Sequence, residues 1–390
     1  MYLTAEEAAR SLGVSVATIY AYVSRKKIRS QAIPGSKRRT YWRDDILHLS
    51  SEASPPSRDV LMPTTMITLI NQEGPFYRGR SALRLAESAT IEDVAGLLWE
   101  VDPNEVFSQP PFVMTDTYLR IHQALEGATA MESVMTLLPV LERGNPRAYD
   151  LSRSGYVRTS ADIMRWLAGM IVGSASPAPA GTPLHIFLAE TLHKSRYADL
   201  IRRLLVLAAD HEFDPTTYAV RAVANTGVTA YQVTLAGLAS SEGRRLTFGR
   251  AQSLSRMLDE IATTADPSEP IIRRLREGET LPGFSQSLYE GADPRAACLL
   301  ASVSEALDGH PTTKRLLTAI SVARDATGRS PDFALPVVFL SRQLKLGSAE
   351  PLLFRLGRFV GWIAHAMEQY HTCELVRPRA LYNGVLPDAL

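Results

Sequence analysis

The chain has 390 residues, 45% of them hydrophobic and 21% charged, with a formal net charge of +1; this fits an ordinary globular protein with one large core and room for a small second unit. Its two cysteines, Cys298 and Cys373, offer neither a disulfide framework nor metal-ligand spacing, which points to a reducing cytoplasm and no bound metal. Apolar runs such as residues 166–172 fall far short of the roughly 20 residues that cross a bilayer, and the polar, acidic N-terminus does not read as a secretory leader.

The charge is unevenly spread. The first fifty residues carry nine Lys or Arg against four Asp or Glu, a balance of +5, which leaves −4 for the other 340. In this basic head, YLTAEEAARSLGVSVATIYAYVSRKKI predicts two short helices around a tight turn. Thr4 and Glu7 are spaced as a capping box, Ala8, Ala9 and Leu12 form a buried face, and Gly13 ends the first helix before Ser15 caps the second. The second helix, 16–24, sets Val16, Ile19 and Val23 at core spacing. Thr18, Tyr20 and Tyr22, followed by Arg25, Lys26 and Lys27, stay available for a duplex.

QAIPGSKRRTYWRDDILHL then predicts a Pro34-Gly35 turn between two β-prone runs, a wing carrying Lys37, Arg38 and Arg39. The cations cluster where phosphates would lie, and the acids sit at helix starts. A protein-docking module with a solvated charged face is the competing reading. The order Leu-Thr, Glu-Ala-Ala, Leu-Gly-Val-Ser, Thr-Ile-Tyr, then Arg-Arg before Trp42, Arg43, Asp45 and Ile46 resembles the winged helix-turn-helix heads of excisionases and mercury-resistance-type regulators. That resemblance implies a DNA-binding head over residues 1–50.

SEASPPSRDVL, residues 51–61, lacks apolar periodicity and reads as a semi-stiff tether. After a strand-like stretch at 62–71, apolar residues recur at three and four spacing in 91–99, 162–172, 197–209 and 352–369, so the body, 62–390, is expected to be nearly all helical. In PGFSQSLYEGADPRA, residues 282–296, Pro-Gly opens a turn, Asp293 reads as an N-cap and Pro294 as the first helical residue. Arg295 then aims back toward whatever the loop encloses, which suggests an anion.

Several segments of this body resemble the citrate synthase family in order and spacing: MITLINQEGPFYRGRSALRLAESATIEDVAGLLWE, DHEFDPTTYAVRAVANTG, GFSQSLYEGADPRA, LGRFVGWIAHAMEQ and ELVRPRALYNG. The resemblance implies a mainly α fold in which large and small helical domains close over the active site of a homodimer. It also implies a reaction that joins an acyl-CoA carbon to the keto carbon of oxaloacetate and hydrolyses the thioester, with CoA as substrate or ligand and no covalent cofactor.

Position by position, the resemblance carries the dicarboxylate holders onto His211, Arg295, Arg358 and, across the dimer, Arg377. An arginine's planar fork meets a carboxylate with two parallel hydrogen bonds, although any one of these arginines alone also fits a surface salt bridge. Asp332, in SPDFALP, falls on the carboxylate that takes a proton from the acyl methyl group; an ordinary helix-capping aspartate is the alternative. The two histidines of the family's acid-base set are replaced by Thr247 and Gln286. No register shift restores them, because no histidine lies between His211 and His310, and His310 reads as a surface residue. Thr247 and Gln286 donate hydrogen bonds but are not general acids at neutral pH. Arg244, Arg245 and Arg250 are the nearby cations.

Two functions in different classes follow. One is a DNA-binding regulator that responds to a dicarboxylate or an acyl-CoA, with impaired condensation. The other is a divergent citrate or 2-methylcitrate synthase with a fused head, or an inactive subunit that pairs with an active one.

Overall fold

Side-chain caps mark the start of many helices in this chain. The computed structural model describes residues 2–12, 14–25, 28–32, 39–42, 64–243, 251–284 and 288–372. They fall into two units, Met1–Thr64 and Thr65–Leu390.

In the first unit, α1 (Ala5–Leu12) starts on a reciprocal cap: the Thr4 amide donates to Glu7 Oε2 at 2.8 Å and the Glu7 amide to Thr4 Oγ1 at 3.3 Å. Helix α2 (Val16–Ser24) starts at Ser15, whose Oγ accepts the Thr18 amide at 3.2 Å. Strands β1 (Tyr2–Leu3), β2 (Ser30–Ala32) and β3 (Arg39–Trp42) form an antiparallel sheet in the order β1-β3-β2. Ala5, Ala8, Ala9, Ile19, Ile28 and Tyr41 close a small core between helices and sheet. The unit is a winged helix-turn-helix.

Two of the expected duplex-facing residues are otherwise engaged. Tyr22 lies three positions after Ile19, on the same side of α2, and packs against the head's core. Thr18 Oγ1 sits 2.9 Å from Ser15 Oγ as part of the cap. Tyr20 is 55% exposed, Arg25 is exposed, and exposed Arg39 donates from Nε to Ser30 Oγ at 3.0 Å. Lys26, Lys27, Lys37 and Arg38 lie outside the described residues.

The second unit opens with a meander, β4 (Thr68–Asn71), β5 (Gly74–Tyr77) and β6 (Arg80–Ser81), and is helical from there on. The expected helix at 91–99 is Ile91–Trp99, held by a Thr90/Asp93 capping box. The segment 162–172 is the C-terminal half of Arg153–Ile171, 197–209 is Ala198–Ala208, and 352–369 lies within Glu350–Thr372.

This last helix is the hub. Pro215–Ala224, Ala198–Ala208, Ala230–Ser241, Ile91–Trp99 and Arg153–Ile171 all pack against it. A second group, Ala251–Thr263, Glu269–Arg276, Pro311–Thr327 and Ala334–Gln343, joins it through Ala334–Gln343, and one hydrophobic core runs through both groups. No helix among the described residues is long and apolar enough to cross a membrane.

The hub helix comes close enough to its neighbours to exclude side chains. A Cβ on Gly357 would lie 2.7 Å from the Leu205 carbonyl oxygen, and one on Gly361 would overlap the Ala209 carbonyl and Asp210 Oδ1. The Gly361 amide donates to the Ala209 carbonyl at 3.0 Å. At the next residue, the Trp362 indole fills the place of a side chain at Gly237. Gly361→Ala is therefore expected to destabilise by about 1–3 kcal/mol, although the same change in an unobstructed helix interior gains about 1 kcal/mol. Urea midpoints at constant m would show it.

Candidate functional site

The turn after Ala198–Ala208 places His211. Asp210 is fully buried: its Oδ2 accepts the Glu212 amide at 3.1 Å and faces His365 Nε2 at 3.2 Å. His365 and Arg358 further hold this carboxyl below its usual range, against the upward pull of burial. Glu212 takes a left-handed backbone, φ 58°, an uncommon conformation for a non-glycine residue that marks a tightly determined turn. Asp214 then caps Pro215–Ala224, accepting the Thr217 amide on Oδ1 at 2.8 Å, and with Oδ2 it holds Arg358 Nη1 at 3.1 Å. One carboxylate thus starts a helix and positions a site arginine.

His211 Nε2 lies 2.9 Å from the hydroxyl of Tyr289, a residue of the 282–296 loop. Burial, reinforced by Arg295 and Arg358, pushes the His211 imidazole well below its ordinary pKa, so it is neutral. The Tyr289 phenol is pushed up to about 12 by burial. Tyr77, fully buried on β5, bonds through its hydroxyl to the carbonyls of Val206 at 3.0 Å and Asp210 at 3.3 Å, which fixes the turn from beneath.

Arg295, expected to aim back into its loop, is held by the residue that caps its helix. Asp293 caps Pro294–Ala306 as expected, but it also folds back on the guanidinium, meeting Nε at 3.1 Å and Nη2 at 2.7 Å. The cap and the arginine are two residues apart across the first helical turn, so one carboxylate reaches both. Arg295 is 6% exposed, with its guanidinium 4.7 Å above the Phe333 ring. Arg358 is 3% exposed, and its Nε is buried with no hydrogen-bond partner among the described residues. Two cations therefore sit beside a neutral imidazole. Asp293 and Asp214 limit their mutual repulsion, and one guanidinium N–H is unspent.

Asp332 is brought to this loop. Its amide donates to the Gly283 carbonyl at 2.8 Å, and its side chain is 7% exposed. Oδ1 accepts the Ala334 amide at 3.0 Å, but the N-cap of Ala334–Gln343 is Phe333, so Asp332 stands one residue before the cap. Thr247, Gln286 and Arg377 lie outside the described residues, as do Arg244, Arg245 and Arg250. His310 is a partly buried N-cap whose Nδ1 meets Thr312 Oγ1 at 2.7 Å, apart from the set. The sequence reading gave no role to Tyr289, Asp210 or His365. A signal for His365 is available: it follows Arg358 by seven residues, two helical turns on the same face. No cluster that could hold a metal occurs among the described residues.

A mainly helical unit here sets two buried arginines beside a neutral histidine, with the carboxylate of Asp332 at the neighbouring loop, an arrangement whose positive charge suits an anion. Comparison with known proteins is specific. The citrate synthase C-terminal domain family matches residues 56–379, and a helix-turn-helix domain family matches residues 2–49. The chain belongs to the citrate synthase family.

Citrate synthase 2 of Bacillus subtilis is 29% identical over 353 residues, covering 83% of this chain and 94% of that protein. The 2-methylcitrate synthase of Mycobacterium tuberculosis is 24% identical over 378 residues, covering 83% and 89%. Other alignments span about half of each partner: citrate synthase of Haloferax volcanii is 31% identical over 194 residues, 48% of this chain and 50% of that protein. The fold matches citrate synthase of Thermoplasma acidophilum, solved as a ternary complex with carboxymethyl coenzyme A and oxaloacetate, at TM-score 0.70 and 20% identity over 85% of this chain and 96% of that one.

The depressed His211 pKa has a sign that can be checked. Below the ordinary histidine pKa the unfolded chain takes up a proton that the folded chain refuses, so this residue's contribution is fully present above about pH 6.5 and is lost as pH falls. Between about pH 7.5 and pH 5.5, wild type is expected to lose roughly 1 kcal/mol more stability than His211→Asn, measured by denaturant titration at both pH values.

Proposed function

We propose that this chain is a DNA-binding protein whose citrate synthase-like body binds a dicarboxylate of the oxaloacetate or citrate type and has lost most condensation activity. One observation carries the reading: Arg358, buried with an unspent Nε beside Arg295 and a neutral His211. Burying two guanidiniums costs several kcal/mol each unless charge compensates them. Asp293 and Asp214 supply part of that compensation, and a bound carboxylate would supply the rest through charge-assisted bonds worth about 1.5–3 kcal/mol each. Arg377, contributed across a homodimer, completes the site in this reading, and a CoA thioester is the second candidate ligand.

The chemistry does not follow the frame. In condensation a carboxylate removes a proton from the acyl methyl group, one imidazole donates to the thioester oxygen as the enol forms, and another protonates the keto oxygen as the carbon–carbon bond closes. Water then releases CoA thiol. Thr247 and Gln286 replace both imidazoles. One such loss removes about 10²–10⁴ in rate, and two losses combine without being additive. In a dimer, two basic heads meet two half-sites of a roughly palindromic DNA, and ligand-driven closure changes their spacing.

A divergent synthase is the second reading, favoured by the burial of Asp332 against Gly283 at the same loop. Calorimetry and CoA thiol release separate the two. Oxaloacetate is expected to bind wild type and to bind Arg358→Ala about 10- to 100-fold more weakly, while thiol release from acetyl-CoA or propionyl-CoA stays below about 1% of an ordinary synthase. Release at a full rate, abolished by Asp332→Ala, would establish the synthase instead.

DNA binding is tested with duplexes selected from a random pool. Replacing Arg38 and Arg39 by Ala is expected to weaken retention and to flatten the log-affinity against log-salt slope by about 2, one phosphate for each arginine.

A further inference from the structure

The residues that anchor the tether to the body are bonded into the same buried network that holds the His211 turn. Thr65 is the first residue of the second unit. Its Oγ1 donates to Glu368 Oε2 at 2.9 Å, and the Met66 amide donates to Glu368 Oε1 at 2.6 Å. The Glu368 carboxylate, 7% exposed, is also ion-paired with the buried guanidinium of Arg221 and lies 3.9 Å from His365 Nδ1. Arg221 in turn donates from Nε to Gln369 Oε1 at 3.1 Å.

Both groups that meet Glu368 also touch the ligand turn. The ring of Phe213, two residues after His211, packs between them, with its centroid 5.0 Å from the Arg221 guanidinium and 5.3 Å from the His365 ring. His365 Nε2 holds Asp210, the residue before His211, at 3.2 Å. The hairpin that follows the anchor closes a second path. Tyr77 on β5 bonds to the Asp210 carbonyl at 3.3 Å, and Gln72 Oε1, at the hairpin turn, accepts the Glu290 amide of the 282–296 loop at 2.8 Å.

We propose that Glu368, with His365 and Arg221, is a positioning device that couples occupancy of the His211, Arg295 and Arg358 site to the order of the tether's anchor at Thr65 and Met66. It rests on the dicarboxylate reading above. Glu368 is a positioning residue with no contact to ligand. The Phe213 ring packs on both Arg221, which holds Glu368, and His365, which holds Asp210 and whose Nδ1 faces Glu368 at 3.9 Å without a hydrogen bond. A ligand that shifts the His211 turn therefore changes the geometry available to the carboxylate that the anchor grips. Bonds made in a low-dielectric interior are costly to leave half-satisfied, so the anchor follows the turn.

Amide hydrogen exchange of the full chain over residues 65–71, with and without saturating oxaloacetate, tests the coupling. Ligand is expected to slow exchange at Met66 and Ile67 about tenfold in wild type, within the usual range of allosteric coupling. Thr65→Ser, which keeps a hydroxyl, is expected to preserve the slowing. Thr65→Val and Glu368→Gln are expected to reduce it to under about twofold while calorimetric affinity changes by less than about fivefold. Thr65→Val leaves the Arg221 ion pair intact, so it remains decisive if Glu368→Gln folds poorly. Equal slowing in all four proteins would mean general stabilisation and overturn the coupling. Oxaloacetate binding without slowing in wild type would overturn the coupling alone, and absence of binding would overturn the ligand reading and the coupling with it.

Discussion

The site depends on how closely the C-terminal helix approaches the end of Ala198–Ala208. Gly357 and Gly361 remove the two side chains that would hold these helices apart, and the Gly361 amide bonds the Ala209 carbonyl directly. That contact brings Arg358 and His365, from one helix, up to Asp214 and Asp210, from the next connection. A wider spacing would leave Arg358 without its carboxylate and Asp210 buried with no cation or imidazole opposite. Small residues at helix crossings are often read as packing alone; here they also set the reach of the charged groups.

Once the helices are that close, electrostatics becomes the governing cost. Arg295 and Arg358 are both nearly excluded from solvent, and each has its own carboxylate that doubles as a helix cap: Asp293 for Pro294–Ala306 and Asp214 for Pro215–Ala224. Using capping aspartates as counter-ions ties guanidinium orientation to rigid helix starts instead of mobile side-chain pairs, which is how binding groups are held in place before a ligand arrives. His211 stays neutral under the same two cations and adds a directional hydrogen bond without adding repulsion.

Most of the fold was legible because its signals are local. Thr4 with Glu7, Ser15, and Asp293 with Pro294 mark helix starts within a few residues, and the three-and-four apolar spacing located the helices at 91–99 and 198–208. The site was half legible: a motif brought His211, Arg295, Arg358 and Asp332 to notice, but not what each one touches. Arg295 was expected to aim back toward what its loop encloses, and nothing in the sequence says that the capping Asp293 also holds its guanidinium. Tyr22 was held available for a duplex, and its register three residues after Ile19 also packs it, half-buried, against the head's core. Glu368 with Thr65, or His365 with Asp210, joins positions 303 and 155 residues apart; such pairs arise only when the hub helix is packed.

The contrast between frame and chemistry bears on what the buried charges are for. A condensing enzyme needs binding groups and proton-transfer groups together, and loss of the latter alone leaves a costly assembly of buried cations with no catalytic return. Buried ion pairs are poor contributors to stability and are often replaced by apolar residues at no loss. Here Arg221 with Glu368, Arg295 with Asp293 and Arg358 with Asp214 are all present, and Gly357 and Gly361 still make room for them. A core that served only to fold would have no need of that arrangement. Its cost is understandable if binding an anion is itself the function.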